Sequence, residues 1–414
     1  MEIKMQRFFL TFFLCVPIFA IYAEETPREE RLAFIGDSIT AGNSYAVQME
    51  IYLKACAGKR NLKVRSFAFP GDTALGFNKR IDEVLAWKPT VATIQFGMND
   101  GFYGRYTDWM GNNYLEGVTK AIRALRKMNC AVYLATPTVM DPVYGKPNSI
   151  YAGKCNAETY NLTLKKLAEF TGKISKTEKI PQVELFELMS KVMTQCKKEY
   201  GNQYVFAGSD GIHPGPNGQL VIAYAFLESL GMEKKVARIT VDMEGDVSLS
   251  EGHKVASREN NELVLESTRY PFCHSSGTED ILPFLPFQEK FNRFELKFVN
   301  LPSGNYKVTW GTFSKNFSSE ALQEGINLAD EFRINPFNST FAVLYKQIEC
   351  KQRYETSLVF ELFPKLRNLQ GANGPEIAET LKKELIRHRE ILEREISLPP
   401  VNHKIRIEKI NQEK

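Results

Sequence analysis

The stretch Arg31-Leu32-Ala33-Phe34-Ile35-Gly36-Asp37-Ser38-Ile39-Thr40 runs from an apolar segment into a polar turn near the start of the chain. Its apolar part, residues 32–35, predicts a buried β-strand, and Gly36 permits a sharp turn of the backbone after it. A helical pattern follows, so the stretch predicts the strand–turn–helix unit from which parallel α/β folds are built. The turn puts Ser38 at the carboxyl end of a strand, the edge at which such sheets bind ligands.

The same alternation continues to residue 232. Apolar runs predict strands at residues 32–35, 64–69, 91–96, 131–135 and 182–186. Amphipathic patterns predict helices at residues 46–55, 75–87, 114–128, 157–170 and 219–230. Short apolar strands that alternate with helices indicate an α/β domain whose parallel sheet is covered on both faces.

The pattern changes after Gly231, where strands become the main predicted element. They are expected at residues 238–242, 262–266, 294–298, 306–310 and 404–410. Between the last two, an apolar stripe predicts a long helix at residues 373–398, with Asn373 as its cap, Pro375 in its first turn and His388 packed or snorkelling along its apolar side. We therefore expect a smaller β-rich accessory domain at residues 233–414 that carries a long helix.

The first residues have the layout of a secretory signal peptide. Lys4 and Arg7 precede an apolar run at residues 8–22, and acidic residues follow it. We expect residues 1–23 to be removed, residues 24–232 to form the first domain, and the protein to be exported, either to a periplasm or into the medium. The run is short for a membrane span, which takes about 20 apolar residues, so no stable span is expected after signal removal. An uncleaved anchor is the alternative.

The composition is that of an ordinary globular protein, with 43% hydrophobic and 25% charged residues. The 53 basic and 49 acidic residues are spread along the chain, which argues against a nucleic-acid partner and leaves the oligomeric state open. Of the seven cysteines, Cys15 lies in the apolar run. The other six are too sparse to form a dense disulfide framework, and no CxxC spacing suggests structural zinc.

Three turns at the ends of consecutive predicted strands carry groups that can donate hydrogen bonds. Ser38 follows the first strand, Gly71 lies in Pro70-Gly71-Asp72-Thr73 after the second, and Asn99 lies in Gly97-Met98-Asn99-Asp100 after the third. Each motif alone is most simply a turn that ends a strand. Together they place three donors at one edge of one sheet, where an oxyanion could be stabilised.

A fourth segment, Ser209-Asp210-Gly211-Ile212-His213, precedes the last predicted helix of the first domain. A serine becomes a useful nucleophile when an imidazole takes its proton and a carboxylate orients the imidazole. Asp210 and His213 can come from one turn, and His213 is the only one of the five histidines in the first domain. Taken alone, the pair could be a structural contact, and a metal site is a further interpretation, but no second histidine or HExxH motif lies in this domain.

In this order and spacing, the four elements resemble those of the SGNH or GDSL hydrolase superfamily, over about residues 31–232. The resemblance implies a three-layer α/β/α, flavodoxin-like fold. It also implies Ser38 as nucleophile, His213 as general base and acid, Asp210 as its orienting group, and an oxyanion hole formed by Ser38, Gly71 and Asn99. No metal or organic cofactor is implied. Pro70 departs from the serine that many relatives carry there, but the Gly71 donor is kept.

The aromatic segment after Asn99 suggests how a substrate binds. Phe102, Tyr103 and Trp109 lie at the predicted reactive edge, and with Asp37 they are our predicted substrate-binding residues. Aromatic faces suit sugar rings, although these rings could instead pack the loop on its own domain. We therefore expect an exported serine esterase for short-chain acyl, chiefly O-acetyl, esters of a small molecule or polysaccharide. A lipid esterase, lysophospholipase or thioesterase of the same fold, and a non-catalytic carbohydrate-binding protein, are the alternatives.

Overall fold

The computed structural model describes residues 29–145, 155–232, 235–274, 276–369, 371 and 373–410, so the predicted signal peptide lies outside the described residues. The first domain contains a five-stranded sheet in which all neighbours run parallel. Its strands are β1 (Arg31–Gly36), β2 (Lys63–Ser66), β3 (Val91–Gln95), β4 (Ala131–Ala135) and β5 (Gln182–Val183). The spatial order β2-β1-β3-β4-β5 is that of flavodoxin-like folds, as the resemblance implies.

Helices cover both faces of this sheet. They are α1 (Ser38–Ala41), α2 (Ser44–Ile51, continued by a π-helix at Tyr52–Cys56), α3 (Ala74–Phe77), α4 (Ile81–Trp87), α5 (Asp108–Arg126), α6 (Ala157–Glu178), α7 (Leu185–Tyr200) and α8 (Pro216–Ser229). Leu32 and Phe34 of β1 pack in one core with α2 and α8, whereas Ala33 and Ile35 pack in the other with α5. Alternate side chains of β1 thus enter the cores on opposite faces of the sheet, which confirms the predicted three-layer arrangement.

Several predicted elements of this domain differ from the structure: the strand expected at residues 64–69 ends at Ser66, and α7 was not predicted. The helix expected at residues 75–87 is divided into α3 and α4. Between them, the Asn78 side chain donates hydrogen bonds to the carbonyls of Ala74 and Gly117. The strand expected at residues 182–186 ends at Val183, because the Phe186 N–H donates to Thr136 Oγ1 within the first turn of α7 (2.9 Å).

The C-terminal region holds two further sheets, as predicted for a β-rich domain. One has the order β13-β10-β6-β7 and the other β12-β11-β14-β9-β8. The strands are β6 (Lys235–Asp242), β7 (Val247–Leu249), β8 (His253–Glu259), β9 (Glu262–Ser267), β10 (Arg293–Val299), β11 (Asn305–Trp310), β12 (Phe313–Ser318), β13 (Ile326–Asn327) and β14 (Val401–Lys409). Phe294 and Trp310, one from each sheet, meet in the shared core with ring centroids 5.4 Å apart.

Short helices connect these strands, and a longer helical excursion precedes the last one. The short elements are a 3₁₀-helix (Glu279–Phe284), α9 (Phe287–Phe291), α10 (Ser319–Glu324) and α11 (Leu328–Glu331). The excursion contains α12 (Asn338–Ser357), a π-helix (Leu358–Leu362), α13 (Phe363–Arg367) and α14 (Gly374–Arg394). We call residues 338–394 the helical arm.

The helical arm packs against the first domain and covers the open edge of its sheet. The Lys351 ammonium donates to the carbonyl of Val64 in the edge strand β2 (3.0 Å) and to Glu50 of α2 (2.7 Å). One turn later, Glu355 accepts the N–H of Ser66 (3.1 Å). These contacts use backbone groups that an edge strand would otherwise expose. The arm is therefore C-terminal in sequence but part of the α/β domain in space.

The long helix of the arm corresponds to the one predicted at residues 373–398. Asn373 stands at the N-cap position of α14 and Pro375 lies in its first turn, as expected, but the Asn373 side chain makes no capping hydrogen bond. His388 packs edge-on against Tyr354, with ring centroids 4.9 Å apart. None of the helices in the described ranges is long and apolar enough to span a membrane. The six cysteines beyond residue 15 are free thiols.

Candidate active site

The turn that carries Ser38 is held by a capped helix start and a close backbone approach. The Asp37 carboxylate caps α1 by accepting the Ile39 N–H (3.0 Å), which leaves Ser38 as the first helical residue. A Cβ on Gly36 would stand 2.1 Å from Thr40 Oγ1, so only glycine fits before this turn. Ser38 is half-buried, and its N–H is one of the first-turn donors that a helix does not use itself.

The side chains of Ser38, His213 and Asp210 form one chain of hydrogen bonds. Ser38 Oγ lies 2.8 Å from His213 Nε2, and His213 Nδ1 lies 2.6 Å from Asp210 Oδ2. The remaining oxygen, Asp210 Oδ1, accepts the backbone N–H groups of Ile212 and His213. Residues 175 positions apart in sequence therefore meet at the carboxyl end of β1, as the sequence predicts.

The Asp210 carboxylate is suited to remain ionised beside the imidazole. Partial burial acts to raise its pKa, but the hydrogen bonds from the His213 ring and from two backbone N–H groups outweigh burial and hold the pKa below its ordinary value. An ionised carboxylate on Nδ1 fixes the tautomer that presents Nε2 to the serine and stabilises an imidazolium.

The second predicted donor lies in a tight turn formed by residues 69–72. The Asp72 N–H donates to the Phe69 carbonyl (3.1 Å), Pro70 occupies the second position, and Gly71 has a φ of +80°. This is the arrangement of a type II turn, which requires positive φ at its third residue. The Gly71 N–H is not needed to close the turn, and no side chain shields the exposed glycine.

The third donor, Asn99, is oriented at both ends of its amide. Nδ2 donates to the Asp72 carbonyl of the neighbouring turn (3.0 Å), and Oδ1 accepts the Tyr103 hydroxyl (3.1 Å). The second proton on Nδ2 is left for another acceptor. Because β1 and β3 are neighbours at the point where the strand order reverses, Ser38, Gly71 and Asn99 surround the crevice where open α/β sheets bind ligands.

Two buried carboxyl groups support these loops. Asp100 accepts the N–H groups of Gly97 and Ala74 (2.9 Å each), which ties the Asn99 loop to the start of α3. Burial raises the pKa of both Asp37 and Asp100 to about 7. Asp37 is 0% exposed, so it cannot contact a substrate, and the prediction that it binds substrate is wrong. It caps α1 instead.

The aromatic loop divides into an outer and an inner part. Phe102 and Trp109 are 38% and 58% exposed and lie with ring centroids 5.1 Å apart, which forms a small aromatic surface. Tyr103 turns inward instead, stacks on Tyr160 and donates to Asn99. Phe102 and Tyr103 both have positive φ, and this backbone kink sends the two rings in opposite directions. Tyr103 therefore positions a donor rather than extending the aromatic surface.

Side chains that the sequence did not single out hold the loops from behind. The Arg80 guanidinium pairs with Asp72 (2.6 Å) and lies over the Phe69 ring (4.9 Å). From the helical arm, Thr356 exchanges two hydrogen bonds with Asn43, which follows α1. In the sequence, only the separation of eight residues could have suggested that Arg80 pairs with Asp72. Nothing in the sequence links residues 43 and 356. Among the described residues, no group of three or more His, Cys, Asp or Glu side chains could hold a metal ion.

Comparison with known proteins agrees with this architecture. Residues 34–221 match the GDSL-like Lipase/Acylhydrolase family. An acetylxylan esterase from Geobacillus stearothermophilus is 23% identical over 222 residues, which cover 49% of this chain and 95% of that enzyme. The solved structure of a gut microbial diltiazem-metabolizing enzyme aligns with 92% of this chain and 98% of its own, with a TM-score of 0.70 and 20% identity.

The last comparison extends the likeness in fold across both the α/β domain and the C-terminal region, while the first two concern the α/β domain. The parallel sheet, its strand order and the family match lead to the same assignment. Residues 34–221 thus resemble GDSL-like hydrolases, and this similarity supports an ester-hydrolysing enzyme.

Proposed function

We propose that Ser38, His213 and Asp210 are the catalytic triad of a carbohydrate O-acetyl esterase. The observation that carries the proposal is the continuous hydrogen-bonded chain from Ser38 Oγ through the imidazole to the Asp210 carboxylate. Gly71 and Asn99 stand on the turns beside this chain, where an oxyanion would need its donors. Support for a short acyl group on a sugar comes from the acetylxylan esterase relative.

In this mechanism, Ser38 Oγ attacks the ester carbonyl carbon while His213 Nε2 takes the hydroxyl proton. The carbonyl oxygen becomes an oxyanion, which receives hydrogen bonds from the N–H groups of Ser38 and Gly71 and from the Asn99 amide. As the intermediate collapses, the imidazolium returns the proton to the leaving alcohol and an acyl-serine remains. Water then attacks the acyl-serine with His213 again acting as base, and the carboxylic acid leaves.

The nucleophile is tested with a fluorophosphonate probe and aryl esters of increasing acyl length. Wild-type protein is expected to be labelled and to cleave aryl acetate faster than longer esters, and Ser38→Ala is expected to lose both properties. Ser209→Ala is the matched control, because Ser209 is exposed and adjacent to Asp210. A rate that rises with acyl length would favour a lipid esterase or thioesterase, and an unlabelled, folded wild type would favour a binding protein.

The sugar specificity is tested at the exposed aromatic pair. Trp109→Ala is expected to raise KM for acetylated xylo-oligosaccharides and to leave aryl acetate hydrolysis unchanged, because only a sugar is large enough to stack on the ring. Leu162→Ala removes a similarly exposed apolar side chain from α6 and serves as the control. Unchanged kinetics on both substrates would show that the ring does not bind sugar.

We also propose that the protein is exported after cleavage behind residue 23. The basis is the signal-like layout of the first residues, which lie outside the described structure. Intact-mass measurement of the protein recovered from its native host is expected to show a chain that begins at Glu24. A full-length chain that retains Met1 in the cytoplasmic fraction would contradict the proposal.

A further inference from the structure

The turn at residues 209–213, which carries two residues of the proposed triad, packs on a second turn at residues 141–145. The Asp141 N–H donates to the carbonyl of Gly211, which lies between the two triad residues (2.8 Å). A Cβ on Gly211 would stand 2.9 Å from the Asp141 carbonyl oxygen, so the two backbones are in direct contact. The place of the 141–145 turn therefore sets the place of the 209–213 turn.

The 141–145 turn is organised by a buried carboxylate. The side chain of Asp141 is 0% exposed, and its Oδ1 accepts the Val143 N–H (3.0 Å). The Asp141 carbonyl accepts the Gly145 N–H (2.9 Å), which closes the turn. Burial of a carboxylate is unfavourable unless a positive charge and hydrogen bonds compensate for the lost water. The conformation of this turn thus depends on the cation that pairs with Asp141.

That cation is Lys197, in the last turn of α7. Its ammonium lies 3.0 Å from Asp141 Oδ1 and donates to the carbonyl of Asn202 (2.9 Å). It also lies 5.6 Å from the centre of the Tyr144 ring, whose hydroxyl donates to the Gln203 carbonyl. These carbonyls belong to the segment that leads from α7 to the triad turn. One ammonium group therefore joins that segment to the turn on which the triad residues rest.

We propose that Lys197 is a positioning residue for ester hydrolysis. Through Asp141 it fixes Gly211, and through Gly211 it fixes the relative geometry of Asp210 and His213. The inference rests on the proposed triad. Lys197 itself acts at a distance, because its ammonium bonds to Asp141 and not to the reacting groups. A displacement of about 1 Å in a catalytic group can lower the rate about 100-fold, so a support of this kind affects turnover.

The test compares Lys197→Met with Lys198→Met, whose lysine is exposed on the same turn of α7. At a temperature where both variants are folded, Lys197→Met is expected to lower kcat on aryl acetate by about 10- to 100-fold. KM should not change, because the ester still binds while the base is misplaced. Labelling by the fluorophosphonate probe should slow by a similar factor. Lys198→Met is expected to match wild type in each measurement.

Two further variants separate positioning from a general loss of packing. Lys197→Arg keeps a cation that can pair with a carboxylate, and it is expected to recover most of the lost kcat. Asp141→Asn keeps the side-chain volume and an acceptor for the Val143 N–H, and it should lower kcat about as much as Lys197→Met. The double variant should lose no more than either single variant, because both break the same link. Asp141→Asn decides the question if Lys197→Met does not fold.

A folded Lys197→Met with wild-type kcat and labelling, and only a lower melting temperature, would make the ion pair a purely structural contact and overturn the proposal. Independent, additive losses in the double variant would overturn it as well. Ser38→Ala is measured alongside, so a failure of the triad is recognised separately. If wild type is not labelled, or if Ser38→Ala keeps its activity, the proposed function fails whatever the lysine variants do, and this inference fails with it.

Discussion

The ring of Phe360, in the helical arm, lies 5.0 Å from the ring of Phe69 at an interplanar angle of 68°. Phe69 opens the turn that presents Gly71, and the Arg80 guanidinium also lies over its ring. A residue near the end of the chain therefore helps to hold a proposed oxyanion donor that lies about three hundred positions earlier.

Removing this contact should loosen the turn. We expect Phe360→Ala to lower kcat on aryl acetate between about two- and tenfold, the equivalent of one aromatic pair, with little change in KM. Ile377→Ala, which shortens another exposed apolar side chain of the arm, is expected to leave kcat unchanged. An unaltered kcat in Phe360→Ala would mean that Arg80 holds the turn alone.

Glycine at position 71 is expected to matter for turnover more than for stability. A Cβ there meets no atom within 4 Å, and φ is +80°; at Gly231 the space is also open and φ is +65°. Alanine at either position should cost about 1–2 kcal/mol of unfolding free energy through backbone strain. Only Gly71→Ala should reduce kcat, on the order of 100-fold, because its methyl group projects beside the proposed oxyanion. Equal kinetic losses in the two variants would contradict this prediction.

Two substitutions at the Asn99 amide should lower kcat to different extents. Asn99→Ala removes a proposed oxyanion donor and should lower kcat by about 100- to 1,000-fold. Tyr103→Phe removes only the hydroxyl that orients the amide, so its loss should be about tenfold. Steady-state kinetics on aryl acetate measures both, and melting temperatures check that both variants are folded. A larger loss for Tyr103→Phe than for Asn99→Ala would assign the hydroxyl itself to the reaction.

The buried Asp37 should make stability fall as pH rises. Its pKa is raised from 3.8 to about 7 by burial and, to a lesser degree, by the Asp100 and Asp72 carboxylates. The folded state therefore binds the proton more tightly than the unfolded chain, so the stabilisation is complete below the ordinary pKa and is lost through about pH 7. Asp37→Asn keeps the acceptor for the Ile39 N–H and cannot ionise.

Melting temperatures between about pH 5 and pH 8 test this, and the wild type should lose more stability than Asp37→Asn over that interval. The exposed Asp246→Asn serves as the control and should follow the wild-type curve. Parallel curves for Asp37→Asn and wild type would show that Asp37 does not titrate in this range.

The fold of the first domain could be predicted because its cues are local. The strands ending at Gly36 and near Gln95 are short apolar runs, and the alternation of Leu32 and Ala33 between two cores needs no knowledge of distant residues. The triad residues could be proposed for a similar reason, since Asp210 and His213 lie in one turn and few other histidines compete.

The α14 helix of the arm was predicted, but α12 and the packing of the arm on the first domain were not, because the buried face of α12 is made of groups that are ordinarily exposed. Lys351, Gln352 and Glu355 are buried, and each makes a hydrogen bond to Glu50 or to the backbone of β2, about three hundred residues away. An apolar-periodicity argument assigns such residues to the surface. The inward turn of Tyr103 was missed because positive φ at two successive non-glycine residues has no sequence signature.

The final strand, β14, pairs with β11 on one side and β9 on the other. All five strands of the parallel sheet precede residue 184, whereas this antiparallel sheet lacks its middle strand until residues 401–409 have been made. During synthesis the parallel sheet can thus assemble first, and the antiparallel sheet closes only after β14 has been made. Because β14 directly follows the helical arm, its pairing with β9 and β11 fixes the C-terminal end of the arm. The arm therefore covers the β2 edge in one of the last steps of folding.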